Sequence, residues 1–202
     1  MTTVAEMPAG FANKVLSAQS TFRSVMDAMA RPGSVQRIAA PSGVPSPMMR
    51  GTAAIALTLF DQDTPVWLDA AMTAAPDAGK WIRFHCSAPM VADSGIADFA
   101  VIGDPLLLQG LDRFALGSGE YPDRSTTLIV QVESLTHGAA IELSGPGIDG
   151  TTLLRATIGI PDLLGQLSAN HALFPRGVDL ILVADDAIVA IPRTTRLIAR
   201  EG

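Results

Sequence analysis

The chain has 202 residues, 48% of them hydrophobic and only 17% charged, with a formal net charge of -6. That balance excludes a basic nucleic-acid-binding face, which must neutralise phosphates. No run approaches the 18 apolar residues of a spanning helix. So little charged surface points instead to a chain that hides part of its surface against partners.

Residues 1 to 12 are small and polar and read as a loose arm. From Asn13 the period is helical, with Val15, Gln19, Phe22, Met26 and Met29 on one face and Val25 beside them. Arg31-Pro32-Gly33 stops this helix, and Ser34 to Ile38 is a short strand. After a proline-rich loop, Ser46 is the expected N-cap and Pro47 the first position of a helix over Met48 to Phe60. Pro65 to Leu68 then reads as a strand. Residues Thr73 to Gly79 break the pattern, and Trp81 to Cys86 alternates like a strand, placing His85 and Cys86 on opposite faces.

Phe99 to Ile102 is a further strand. Asp104-Pro105 reads as a cap and first helical residue, opening a helix that Gly117 ends. Thr126 to Glu133 and Ala139 to Ser144 are expected as antiparallel neighbours turning near His137-Gly138. Thr151 to Arg155 is a strand, and Pro161 to Leu173 a helix burying Leu163, Leu164 and Leu167. Leu180 to Ala184 and Ala187 to Ile191 form a hairpin around a solvated Asp185-Asp186 turn, which Pro192 ends. Residues Arg196 to Gly202 trail away. The expected fold class is α/β, a single domain over 1–202 with a mixed sheet flanked by helices.

The chemistry is sparse. His85, His137 and His171 lie apart, without the spacing of a metal site. There is no nucleophile elbow, P-loop or dinucleotide fingerprint. Cys86, the single cysteine, shares its expected strand face with Ile82 and Phe84 and reads as core. A lone cysteine cannot form an internal disulfide, which fits a reducing compartment; with no leader-like start, the expected location is cytoplasmic. Of the 14 basic residues only Lys14 and Lys80 are lysines. The best anion- or partner-contact candidates gather around the last hairpin: Arg193, Thr194 and Thr195 just past Pro192, with Arg176 and Asp179 before it. Arg193 offers a guanidinium fork to an anion, or pairs with Asp179 or with a partner's carboxylate. No catalytic residue and no metal ligand stands out.

Several stretches resemble the PhnH family, the H subunit of the carbon–phosphorus lyase core complex of phosphonate metabolism. They are Phe22-Arg23 with Met26, Ala28-Met29 and Pro32-Gly33; Leu57-Thr58-Leu59 and Asp63 to Leu68; Arg83-Phe84-His85 with Ala88-Pro89; Gly117; Ser125 to Ile129 with Gln131-Val132; and Leu143 to Ile148. The longest block is Phe174-Pro175, Gly177, Asp179 to Leu182 and Ala190 to Thr195. The resemblance implies a fold like that of pyridoxal-phosphate-dependent transferases, reduced to one domain and without the cofactor. It implies membership of a complex with G, I and J subunits that exchanges the adenine of ATP for an alkylphosphonate. The chemistry would lie mainly on the I subunit and the radical cleavage on J. The expected role is a subunit inactive alone, in a homodimeric arrangement, with phosphonate or an ATP phosphate as a ligand. The alternative is a free-standing homodimeric phosphate- or nucleotide-binding protein.

Overall fold

The structure is a computed structural model that describes residues 10–198. The expected N-terminal arm lies largely outside the described residues. The helices are α1 (Lys14–Ala30), α2 (Arg50–Leu59), α3 (Ala70–Thr73), α4 (Pro76–Cys86) and α5 (Leu163–Ala172). The strands are β1 (Gln36–Arg37), β2 (Val66–Leu68), β3 (Met90–Val91), β4 (Phe99–Ile102), β5 (Thr127–Gln131), β6 (Ser134–Ser144), β7 (Thr151–Thr157), β8 (Asp179–Ala184), β9 (Ala187–Ile191) and β10 (Arg196–Ile198).

Seven strands form one sheet in the order β1-β9-β8-β5-β4-β2-β3. The strands β3, β2, β4, β5 and β8 run parallel, and β9 lies antiparallel between β8 and β1. A second sheet, β10-β6-β7, is antiparallel throughout. The fold is therefore mixed α/β, as composition and patterning indicate.

The strand period of two sorts the main sheet's residues between two cores. Ile129, Ile181, Val183 and Ile188 face helices α1, α2 and α4. Leu128, Val130, Leu180, Leu182 and Val189 face the second sheet and α5. Leu128, Ile129 and Val130 are all fully buried, as a central parallel strand requires. That also explains a correction: β5 does not pair with β6. A strand apolar on both faces belongs mid-sheet, whereas β6, exposed from Thr136 to Ala140, suits the outer layer.

Other expectations change for local reasons. Trp81 to Cys86 is helical, not extended. Six residues of alternation mimic a strand, but Ala78, Trp81, Ile82 and Cys86 recur at helical spacing and are the buried set of α4. Pro76 opens that helix and Ser87 closes it in the left-handed region at φ 58. Asp104-Pro105 opens only one 3-10 turn, Pro105–Leu107, whose Leu106 and Leu107 stay exposed. Helix α2 begins at Arg50 behind Met49, so Ser46 and Pro47 lie before it. Residues Arg196–Ile198 are not a loose tail but strand β10.

On α1 the inward residues are Thr21, Val25 and Ala28, so Val15, Phe22 and Met26 face outward. On α5, Leu167 is buried while Leu164 is exposed.

The β8–β9 hairpin stands where expected, with Ala184 opposite Ala187. Its acidic tip is solvent-exposed at Asp185, as expected, and is also paired with two arginines. Asp185 takes both Nε and Nη2 of Arg50, at 2.9 and 2.6 Å, and Asp186 pairs with Arg37. The bond from Arg50 holds the Asp185 carboxyl below its ordinary value. Gly51 lets this contact close: its N–H donates to the Asp185 carbonyl at 2.7 Å, and a Cβ there would stand 2.6 Å from that oxygen.

At the other end of the sheet, buried Asp69 follows β2. Its Oδ1 accepts from Met72 N at 2.8 Å, and its Oδ2 from Gly103 N and Asp104 N at 2.8 and 2.9 Å. One carboxylate thus ties the carboxyl ends of β2 and β4 to the start of α3.

Candidate functional site

The cluster predicted around the last hairpin forms one assembly, and most of it turns inward. Asp179 opens β8, and Arg193 follows β9 after Pro192, which cannot extend the ladder. Antiparallel pairing, with Leu180 opposite Ile191, brings the two side chains together. They are 13% and 14% exposed.

Arg193 has five side-chain N–H groups, and all are engaged. Nε donates to Asp179 Oδ1 at 3.1 Å. Nη2 donates to Asp179 Oδ2 and to Ser125 Oγ, each at 2.5 Å. Nη1 donates to the carbonyls of Pro122 and Pro175 at 2.8 and 3.3 Å. The Arg193 backbone N–H adds a further bond to Asp179 Oδ1 at 2.8 Å. A guanidinium has only five donors, so no N–H remains for a ligand in this arrangement. Pairing with Asp179, one of the alternatives read from the sequence, is the one observed. The arginine clamps four separate segments: the start of β8, the end of β9, the turn at Pro122–Arg124 and the turn at Phe174–Gly177.

That last turn is itself held firmly. The Asn170 side chain accepts from Val178 N and donates to Val178 O, both at 2.9 Å. Gly177, at φ +122, would push a Cβ to 2.8 Å from Asn170 Oδ1, so the clip needs glycine there. Arg176, beside it, is exposed.

Thr195 is also internal. It is 3% exposed, and its hydroxyl has no hydrogen-bond partner among the described residues. Thr194 instead lines a cavity of about 370 Å³ with Gly145, Pro146, His171, Phe174 and Arg196. The structure therefore divides the five predicted residues. Arg193, Asp179 and Thr195 are framework, whereas Arg176 and Thr194 reach the surface.

Two residues at this cavity escaped the sequence reading. The Nε of Arg196 donates to His171 Nε2 at 3.0 Å. The ring proton then sits on Nδ1, which donates to the Arg193 carbonyl at 3.1 Å. Both terminal nitrogens of Arg196 are without hydrogen-bond partners among the described residues. Arg196, three residues past Arg193, therefore offers a guanidinium at this end in addition to the exposed Arg176. The sequence signal was its place in a short polar–apolar strand, Arg196-Leu197, after the proline.

Cys86 sits at the end of α4, 8% exposed, and its thiol donates to the Ala56 carbonyl at 3.4 Å. Burial pushes its pKa up to about 11, so the thiolate, the nucleophilic form, is scarce near neutrality. The native protein should resist a thiol-specific reagent at pH 8 and react within minutes once unfolded in guanidinium. Equal labelling rates in both states would contradict the core assignment. Among the described residues there is also no group of three His, Cys, Asp or Glu able to hold a metal. No helix of the structure is long and apolar enough to cross a membrane.

Comparison with known proteins agrees with the sequence resemblance. A family model described as "Bacterial phosphonate metabolism protein (PhnH)" matches residues 9–198. The chain is 45% identical over 199 residues, 98% of each chain, to "Alpha-D-ribose 1-methylphosphonate 5-triphosphate synthase subunit PhnH" of Rhizobium meliloti (strain 1021). It is 29% identical over 199 residues to the "Putative C-P lyase subunit protein HtxG" of Stutzerimonas stutzeri, covering 97% of this chain and 95% of that one.

Proposed function

Because the chain belongs to the PhnH family of bacterial phosphonate-metabolism proteins, we propose that it is a subunit of ribose 1-methylphosphonate 5-triphosphate synthase. In that reaction the N-glycosidic bond of ATP breaks, a phosphonate oxygen bonds to the ribose C1, and adenine leaves. The observation that carries this reading is the 45% identity to a named subunit of that enzyme, end to end in both chains.

The chain acts as a partner within the carbon–phosphorus lyase core complex, alongside the G, I and J subunits, and is inactive alone. It works in the cytoplasm, where such a complex meets ATP, and assembles as a homodimer. The engagement of all five Arg193 donors within the chain supports a supporting role rather than an independent catalytic centre at the hairpin. The exposed Arg176 and the half-buried, cavity-lining Thr194, joined by Arg196, form the contact surface for a partner or an anion. The fold is that of the pyridoxal-phosphate-dependent transferases reduced to one domain over 1–202. A mostly parallel seven-stranded sheet with helices packed on one face supports this reading.

The proposal is tested by co-expressing a tagged copy of the chain with the G, I and J subunits of its own host. Co-purification of the other subunits in fixed proportion is expected at low and moderate salt. Recovery of the tagged chain alone under both conditions would contradict it.

A further inference from the structure

Away from the hairpin, a cavity of about 600 Å³ lies between α4 and the carboxyl ends of β2 and β3. Its volume falls within the range of small-molecule sites. Its walls are apolar, formed chiefly by Trp67, Leu68, Met72 and Val91. Its rim carries two cations, Lys80 and Arg83. These stand three apart on α4, so both emerge from the same side of the helix. Among the described residues, no carboxylate lines the cavity.

Neither cation is committed to the fold. Arg83 is exposed, and its guanidinium has no hydrogen-bond or ion-pair partner among the described residues. Lys80 meets Asp77 at 3.2 Å, with side chains 61% and 77% exposed. Such a surface pair is worth little and opens readily to a stronger anion. The contrast with Arg193 is direct: there five donors are spent internally, whereas here a guanidinium faces solvent beside an apolar hollow.

The location supports a ligand. In open parallel sheets, ligands bind outside the carboxyl ends of the strands where the strand order reverses. Here the reversal falls between β2 and β4, and the cavity lies at the carboxyl end of β2 on its β3 side, next to that point. The wall is also rigid. The three bonds to Asp69 fix the β2–α3 junction, and Trp67 packs edge-on against Phe114 at 5.6 Å between centroids.

We propose that this cavity binds a nucleotide, its ring system against Trp67 and Leu68 and its phosphates on Lys80 and Arg83. An apolar hollow with a cationic rim matches a molecule with an apolar body and an anionic end. The choice of a nucleotide among such organic phosphates rests on the function proposed above.

Calorimetric titration of the full-length chain with ATP at low salt tests the assignment. Saturable binding at one site per chain is expected. The Lys80→Ala, Arg83→Ala double variant should bind about a hundredfold more weakly, about tenfold for each charge-assisted hydrogen bond to phosphate removed. Gly79→Leu keeps both charges but fills the hollow, since a Cβ at Gly79 already points to Leu68 Cδ1 at 3.5 Å; it should abolish binding without lowering Tm. Adenosine should bind far more weakly than ATP, and methylphosphonate should not displace ATP. No heat from ATP, unchanged affinity in both variants, adenosine as tight as ATP, or displacement by methylphosphonate would each overturn the proposal. Silence toward ATP with normal complex assembly would overturn this assignment alone and leave the subunit role standing.

Discussion

Arg193→Ala is expected to destabilise the protein by about 3–5 kcal/mol, the cost of breaking a buried ion pair from one side. Four segments lose their common anchor at once. Asp179, 13% exposed, loses the Nε and Nη2 donors at 3.1 and 2.5 Å. The carbonyls of Pro122 and Pro175 and the Ser125 hydroxyl lose theirs as well. For a domain of this size each kcal/mol moves Tm by about 2–4 °C, so a fall of about 10 °C is expected by thermal denaturation. Arg193→Lys should recover only part of the loss, because an ammonium is a compact point donor and cannot span the planar fork's five acceptors. A surface arginine reserved for a ligand would behave otherwise: its alanine variant would keep its Tm and lose only binding. A Tm within about 1 °C of wild type would therefore contradict the clamp.

Asp69→Ala is the second large effect, at about 3 kcal/mol or more. The side chain accepts from three backbone N–H groups, of Met72, Gly103 and Asp104. Asp69 is 6% exposed, so water does not readily replace it. Each donor left buried and unpaired costs about 1–3 kcal/mol. Asp69→Asn should be milder, because the amide oxygen can still accept from part of the set. Urea denaturation reads both variants. The alanine variant should also expose amides of the β2–α3 and β4 carboxyl ends to faster hydrogen exchange. An unchanged midpoint and unchanged exchange there would mean that the carboxylate is not the tie described.

The two sites differ in how far the sequence disclosed them. The β8–β9 hairpin was readable because Leu180 to Ala184 and Ala187 to Ile191 are short apolar runs around a two-residue turn. The meeting of Arg193 and Asp179 followed from that hairpin. The rest of the clamp did not, because Pro122 and Ser125 lie 71 and 68 residues from Arg193 in the chain. Nothing local reports that a guanidinium will be fully used by carbonyls so distant. Helix α4 was misread because the six residues from Trp81 to Cys86 alternate by chance. Only a longer window, including Ala78, reveals the helical period. That misreading hid the cavity too, since Lys80 and Arg83 share a face only when the segment is helical. The pairing of β5 with β4 and β8 was masked by adjacency: consecutive strands often pair, but Leu128 to Val130 needed cover on both faces.

The exposed apolar row on α1 has the same origin. Val15, Phe22 and Met26 fit a buried stripe by spacing, yet α1 turns Thr21, Val25 and Ala28 to the core. Helical periodicity fixes which residues share a face, whereas the neighbouring layer decides which face is covered.

On the function proposed above, this chain supports the exchange of adenine for an alkylphosphonate on ATP only within its complex. The most direct measurement is adenine release from ATP and methylphosphonate, followed by chromatography, for three samples: the isolated chain, the G, I and J subunits together, and all four. Release by the four-subunit sample alone is predicted. Release by the isolated chain, or undiminished release without it, would contradict that role.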